Sequence, residues 1–228
     1  MGLLIPVCAL VLFAWAGTAI AQDTHPRVLR DREFTEGAFL EPDLAHGREL
    51  YNTCAACHGA DGRGTADGDI PAIAGQHGSV LLKQLADFRY DQRWNERMQY
   101  FTDRHFLPGA QDVTDVAAYV ASLPRFPPTA KGIGDGTSLN EGARTYFRQC
   151  EKCHGPLGQG DLLTRRPRLA GQHYGYLLRQ LEETAANLRP GMDDSHVDML
   201  RKLSPAELRG IADYLSRLSP DLSSRNGR

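Results

Sequence analysis

The chain has 228 residues, with 26 Lys and Arg against 28 Asp and Glu, for a formal charge of -2. That balance lacks the basic excess of a nucleic-acid binder. The length fits two domains of roughly 80–100 residues each, and a domain that small has a thin protein core.

In chain order, the apolar run Gly2 to Ile20 comes first and ends in Ala19-Ile20-Ala21, an A-x-A cleavage pattern. Residues 1–21 read as a secretory signal, with Gln22 as the mature N-terminus and the periplasm as destination. The run lacks a basic start, which leaves an uncleaved anchor as the alternative. It is at the short end for a membrane span and has no basic flanks, which favours cleavage and a mature chain without an integral span. Ile5-Pro6-Val7 lacks the small residue expected before a lipidated Cys8.

Residues 22–43 show no periodicity and read as an N-terminal extension. Asp43 is a natural N-cap for a helix from Leu44 to Asn52. Cys54-Ala55-Ala56-Cys57-His58 and a turn rich in glycine (Gly59, Gly62, Gly64) follow. A second helix is expected from Ser79 to about Gln92, with Leu81, Leu82, Leu85 and Phe88 at helical spacing. A third runs from Asp112 to Leu123. Pro124 to Thr137 is rich in Pro and Gly and reads as a linker.

The same order then recurs. A helix from Leu139 to Phe147 leads to Cys150-Glu151-Lys152-Cys153-His154 and to Gly155, Gly158 and Gly160. A helix from Tyr174 to about Leu188 comes next. The closing helix, Pro205 to Leu218, opens on the capping box Ser204-Pro205-Ala206-Glu207. No stretch alternates with period two, so the fold class is all-α.

The two C-x-x-C-H motifs lie 96 residues apart. Two thiols at this spacing can add to the two vinyl groups of one porphyrin, and the next His is then held under the iron. Cys54, Cys57 and His58, then Cys150, Cys153 and His154, are therefore the expected attachment and proximal-ligand residues of two covalent haem c groups. Of five cysteines, only Cys8 lies outside the motifs, so the mature chain has no thiol to spare for a disulfide. The repeat extends further: Pro71-Ala72-Ile73-Ala74-Gly75-Gln76-His77 matches Pro167-Arg168-Leu169-Ala170-Gly171-Gln172-His173, and Lys83-Gln84-Leu85 matches Arg179-Gln180-Leu181. Only two copies argue for tandem domains, at 44–124 and 139–219, joined by 125–138 and followed by a tail at 220–228.

These features together resemble the dihaem cytochrome c4 family, across nearly all of the mature chain. The resemblance implies two class I cytochrome c domains packed face to face, and a periplasmic electron carrier associated with a membrane oxidase or cytochrome complex. It also implies a Met as each iron's sixth ligand, on the loop between the second and third helices. Counting back from the closing helix puts that position near Phe101 in copy one and on His196 in copy two. Met98 and Met192 are favoured as the ligands, since they stand 21 and 22 residues before the matched Tyr119 and Tyr214 and each is followed by a His. His196, Met199 and His105 are the alternatives. His77 and His173 read as turn residues or as partners of the haem propionates, and Arg89, Arg93, Arg179 and Arg189 as further propionate candidates.

The expected function is outer-sphere electron transfer in a respiratory chain, not catalysis. The sequence offers no legible base, nucleophile or substrate pocket. The competing readings are a dihaem peroxidase, a thiosulfate-oxidising dihaem cytochrome, and a haem subunit of a larger oxidoreductase. A peroxidase needs a releasable sixth site, and a Cys-ligated thiosulfate enzyme needs a spare Cys. Donor, acceptor and oligomeric state are not legible.

Overall fold

The computed structural model describes residues 24–125 and 132–219; the expected signal 1–21, the middle of the expected linker and the tail 220–228 lie outside the described residues. Among the described residues there are helices α1 (Pro26–Ala38), α2 (Leu44–His58), α3 (Gly78–Arg89), α4 (Glu96–Thr102) and α5 (Ala110–Ser122) in the first half. The second half holds α6 (Leu139–Gln149), α7 (Glu151–His154), α8 (Tyr174–Ala185), α9 (Asp194–Arg201) and α10 (Pro205–Arg217). No strand is present among them, only one isolated bridge between Asp161 and Arg166. The all-α expectation holds.

The helix starts follow capping chemistry. The Asp43 carboxylate accepts from the N–H groups of Ala45 (2.8 Å) and His46 (3.1 Å), and Ser204 and Glu207 cap each other at α10. The first helix of copy one does not stop at Asn52 but continues through the haem motif to His58. In copy two the same path breaks at Cys150 and resumes as α7. Both runs end on a glycine at positive φ, Gly59 (79°) and Gly155 (78°), a conformation that an L side chain adopts only with strain.

Each half is a pair of crossed helices with a third laid against them. In the first, Tyr51, Leu81, Leu82, Val113, Val116, Ala117 and Val120 are buried together. In the second, Tyr146, Leu177, Ile211, Ala212 and Leu215 are. The crossings depend on glycine. A Cβ on Gly47 would lie 2.1 Å from the Asp115 carbonyl oxygen, and one on Gly142 would lie 1.9 Å from that of Gly210. The helix backbones therefore touch where α2 meets α5 and where α6 meets α10.

One expectation is corrected here. Residues 22–43 are not an aperiodic extension throughout: α1 occupies Pro26–Ala38 and packs on α3 and α5. Its buried positions are Glu33 and Gly37, not an apolar stripe, so hydrophobic periodicity could not reveal it. It is held by polar contacts. Arg30 pairs with Asp87 (3.0 Å), Glu33 pairs with Arg89, and Thr114 Oγ1 donates to the Gly37 carbonyl (3.1 Å). Pro26 in the first turn was the legible sign.

Gly142→Ala is expected to destabilise the second half by about 3 kcal/mol, the upper end for overpacked cores, because the clash is with backbone that cannot rotate away. A denaturant titration of the holoprotein checks this. Gly78→Ala, whose Cβ would meet only Ala121 at 3.8 Å, is the control expected to leave the midpoint unchanged.

Candidate haem sites and the interface between them

The two C-x-x-C-H motifs are built alike. Tyr51 donates its hydroxyl to the Gly59 carbonyl (2.7 Å), and Tyr146 does the same to Gly155 (2.5 Å), so each motif is pinned at the point where its helix ends. Gly64 N–H returns to the His58 carbonyl and Gly160 N–H to that of His154, both at 2.8 Å. Cys54 and Cys150 face inward, and burial pushes each thiol up to about 11, while Cys57 and Cys153 are exposed.

His58 and His154 are buried. His58 Nδ1 lies 3.1 Å from the Pro71 carbonyl oxygen, and His154 Nδ1 lies 3.2 Å from that of Pro167. A carbonyl can only accept, so Nδ1 carries the proton in both rings and the Nε2 lone pair is left free. Burial lowers both imidazole pKa values, that of His154 to about 4, which keeps the rings neutral. A neutral imidazole whose rear N–H is fixed by a carbonyl is the arrangement that orients a histidine for metal ligation.

These residues fit haem better than any other group for this motif. Among the described residues no three His, Cys, Asp or Glu side chains converge as a metal cage, so neither thiol pair has the partners that a tetrahedral zinc site needs. The buried apolar clusters are small, eight residues in one half and six in the other, thin cores of the kind that a large apolar cofactor would extend. Arg168 and Arg189 each bury an Nε with no partner in the protein, as expected beside a group that brings its own carboxylates.

The Gly-Gln-His turns prove to be the interface between the halves. Gln172 Oε1 accepts from Ala72 N–H (3.0 Å), and Gln172 Nε2 donates to the Ala72 carbonyl (2.7 Å). Gln76 does the same to Arg168, at 2.9 and 3.0 Å. His77 Nε2 donates to the Gln159 carbonyl (3.0 Å) and His173 Nε2 to that of Arg63 (2.7 Å). His77 and His173 do cap α3 and α8, as a turn residue would, but their side chains cross to the glycine-rich turn of the opposite half. The repeated motif was legible; its partner was not, since the contacting residues lie 82 to 110 positions away.

The arginines singled out as propionate candidates have protein partners. Arg89 pairs with Glu33 and donates to the carbonyls of Thr102 (2.7 Å), the last residue of α4, and of Leu107 (2.6 Å) in the segment that follows. Arg93 crosses to Tyr176 (2.7 Å) and Gln180 (2.6 Å), and Arg179 to the Gly68 carbonyl (2.8 Å). Arg189 reaches Gln84 at 3.5 Å, and burial, with Arg93 nearby, brings it down to about 10.

The distal candidates sit on or beside the short helices α4 and α9. Met98 is half-buried in α4 and His196 half-buried in α9. The His154 and His196 ring centres are 6.3 Å apart, with the planes at 42°. Met192 precedes α9 and lines a surface recess with Arg27, Phe34, Lys83 and Arg165. His105 is exposed and meets Phe106 edge-on, while Phe101 packs with Tyr100 and Phe106 in an aromatic cluster. Met199 is half-buried on α9.

The family model for cytochrome c matches residues 44–124 and again 139–219. A cytochrome c4 of Thiocapsa roseopersicina is 34% identical over 73% of this chain and 87% of its own length. A thiosulfate dehydrogenase electron acceptor of Stutzerimonas stutzeri is 29% identical, over 78% and 89%. The crystal structure of reduced recombinant cytochrome c4 from Pseudomonas stutzeri superposes with a TM-score of 0.68 at 29% identity, covering 78% of this chain and all of that one.

Replacing Gln76 and Gln172 together with Ala removes four hydrogen bonds between the halves, at about 0.5–1.5 kcal/mol each. The expected result is a single thermal transition splitting into two, seen by differential scanning calorimetry, while the haem content stays at two.

Proposed function

The chain belongs to the cytochrome c family, as a tandem-domain dihaem electron carrier of the cytochrome c4 type, and on that premise we propose that it works in the periplasm, passing electrons between respiratory partners. The observation that carries this reading is the repeated proximal arrangement, a buried neutral histidine at the end of each C-x-x-C-H with its Nδ1–H fixed by a proline carbonyl. Cys54 and Cys57 hold one haem and Cys150 and Cys153 the other, with His58 and His154 as proximal ligands. The domains are residues 44–124 and 139–219, and α1 packs with the first.

The haems supply the one-electron couple. The protein's part is to hold each proximal imidazole in one tautomer, to bury the group, and to keep the two halves in fixed register. Burial and the hydrogen bond behind each histidine bear on the potential. The carrier meets its partners by surface docking and is not itself a catalyst. The thiosulfate dehydrogenase acceptor among its relatives makes a dehydrogenase one class of donor, and a membrane oxidase or cytochrome complex is the matching class of acceptor. The apolar Met1–Ala21 segment is an export signal removed on the way.

Intact mass of periplasmic protein is expected to equal the chain from Gln22 plus two haems. Cys57→Ala is expected to weaken attachment of the first haem only, and Cys153→Ala that of the second only. A mass with one haem, or with residues 1–21 retained, contradicts the corresponding part of the reading.

Limited proteolysis is expected to cut first within 125–138 and to release two haem-bearing fragments. First cleavage inside α3 or α8 contradicts the boundary.

A further inference from the structure

We infer that the two haems are unlike: His196 is the sixth ligand of the second iron, and Met98 is that of the first. This rests on the reading that His58 and His154 are the proximal ligands.

Three observations carry it. The first is spacing. With metal–imidazole bonds of about 2 Å and about 1.2 Å from each bonding nitrogen to its ring centre, two rings on opposite sides of one metal have centres about 6.4 Å apart. The His154 and His196 ring centres are 6.3 Å apart. The second is availability. Among the described residues, no hydrogen bond engages the His196 ring, and His154 uses only Nδ1. The His196 ring and Nε2 of His154 are thus both available to a metal held between them.

The third is register. Counting from the closing helices pairs Phe101 with His196, but the short helices give a different match. Asn95 caps α4 and Asp193 caps α9, and the third residue of each helix is Met98 and His196. The shift of three is absorbed downstream. The segment between α4 and α5 spans 103–109, while that between α9 and α10 spans only 202–204, and α9 is one residue longer than α4. Met98 and His196 therefore occupy one structural position. Met192 falls outside α9, in the recess beside α1.

A thioether favours the ferrous iron more than an imidazole does, so the first haem is the higher-potential one. With these ligands a single electron would rest on the first haem in preference to the second. The preference is built into the chain.

The test is the near-infrared thioether–iron band of the oxidised holoprotein, with covalent haem counted by mass in the same sample. Wild type is expected to show the intensity of one haem's worth of thioether ligation for two haems bound. Met98→Ala is expected to abolish the band and His196→Met to double it. Met192→Ala and Met199→Ala are expected to leave it unchanged. Redox titration of wild type is expected to show at least a tenfold preference of the first electron for one haem, equivalent to about 59 mV, and His196→Met to narrow that gap. Two haems' worth of band in wild type, or a band halved by Met192→Ala, overturns the inference even if His196→Met does not fold. A mass with fewer than two haems instead overturns the attachment reading on which it rests.

Discussion

The segment from Pro71 to Ala72, with its twin from Pro167 to Arg168, is the constraint on which the rest of the molecule depends. One residue's carbonyl accepts the N–H of the C-x-x-C-H histidine, and the next residue's N–H and carbonyl are both taken by a glutamine of the other half. Two adjacent peptide units thus orient a ligand within one domain and bind the other domain. Neither task needs a side chain from the segment itself, which accounts for Ala72 and Arg168 standing at matched positions. Moving one half against the other would strain the peptide that aims the imidazole, so the proximal geometry and the docking of the halves are one mechanical unit.

The rest of each half serves to hold that segment. The glycine crossings bring α2 and α5, and α6 and α10, into backbone contact, and the last helix of each half in turn receives the Gly-Gln-His turn: Gly75 N–H bonds the Val120 carbonyl and Gly171 N–H that of Leu215, both at 3.0 Å. The first half carries an added brace. Through Glu33 and Arg89, helix α1 connects to the carbonyls of Thr102, the last residue of α4, and of Leu107 in the segment that follows. Buried ion pairs of this kind are costly to break when one partner is lost. That ties α1 to the stretch between α4 and α5, a contact with no counterpart among the described residues of copy two.

Much of this was legible in the sequence because it is written twice. The motifs, the repeated turns and the helix caps are local signals, and they marked the two C-x-x-C-H motifs, the start of α2, and the α3, α5, α6, α8 and α10 helices to within a few residues. What escaped were the features whose partners are distant or whose faces are polar. Helix α1 buries a glutamate and a glycine, so no apolar period announces it. Helices α4 and α9 are seven and eight residues long, too short for a periodic pattern to stand out. The reach of Gln76 and Gln172 was not legible because their acceptors lie 92 and 100 positions away. The distal ligands stayed open among several candidates for a related reason: the segments that follow α4 and α9 differ in length between copies, so counting from the closing helix and counting from the short helices give different matches for His196.

The clasp between the halves has the form of a two-fold contact: each half offers a glutamine and a histidine and receives the same pair in return. Such a surface is self-complementary, as in an isologous homodimer. What makes a half choose its neighbour over the equivalent half of another molecule is the covalent connection through 125–138, which keeps the neighbour at an effective concentration of about millimolar. Shortening that connection below its reach would leave both surfaces competent and remove the preference. The molecule would then satisfy the same bonds by exchange between chains, as a domain-swapped dimer holding four haems in two clasps.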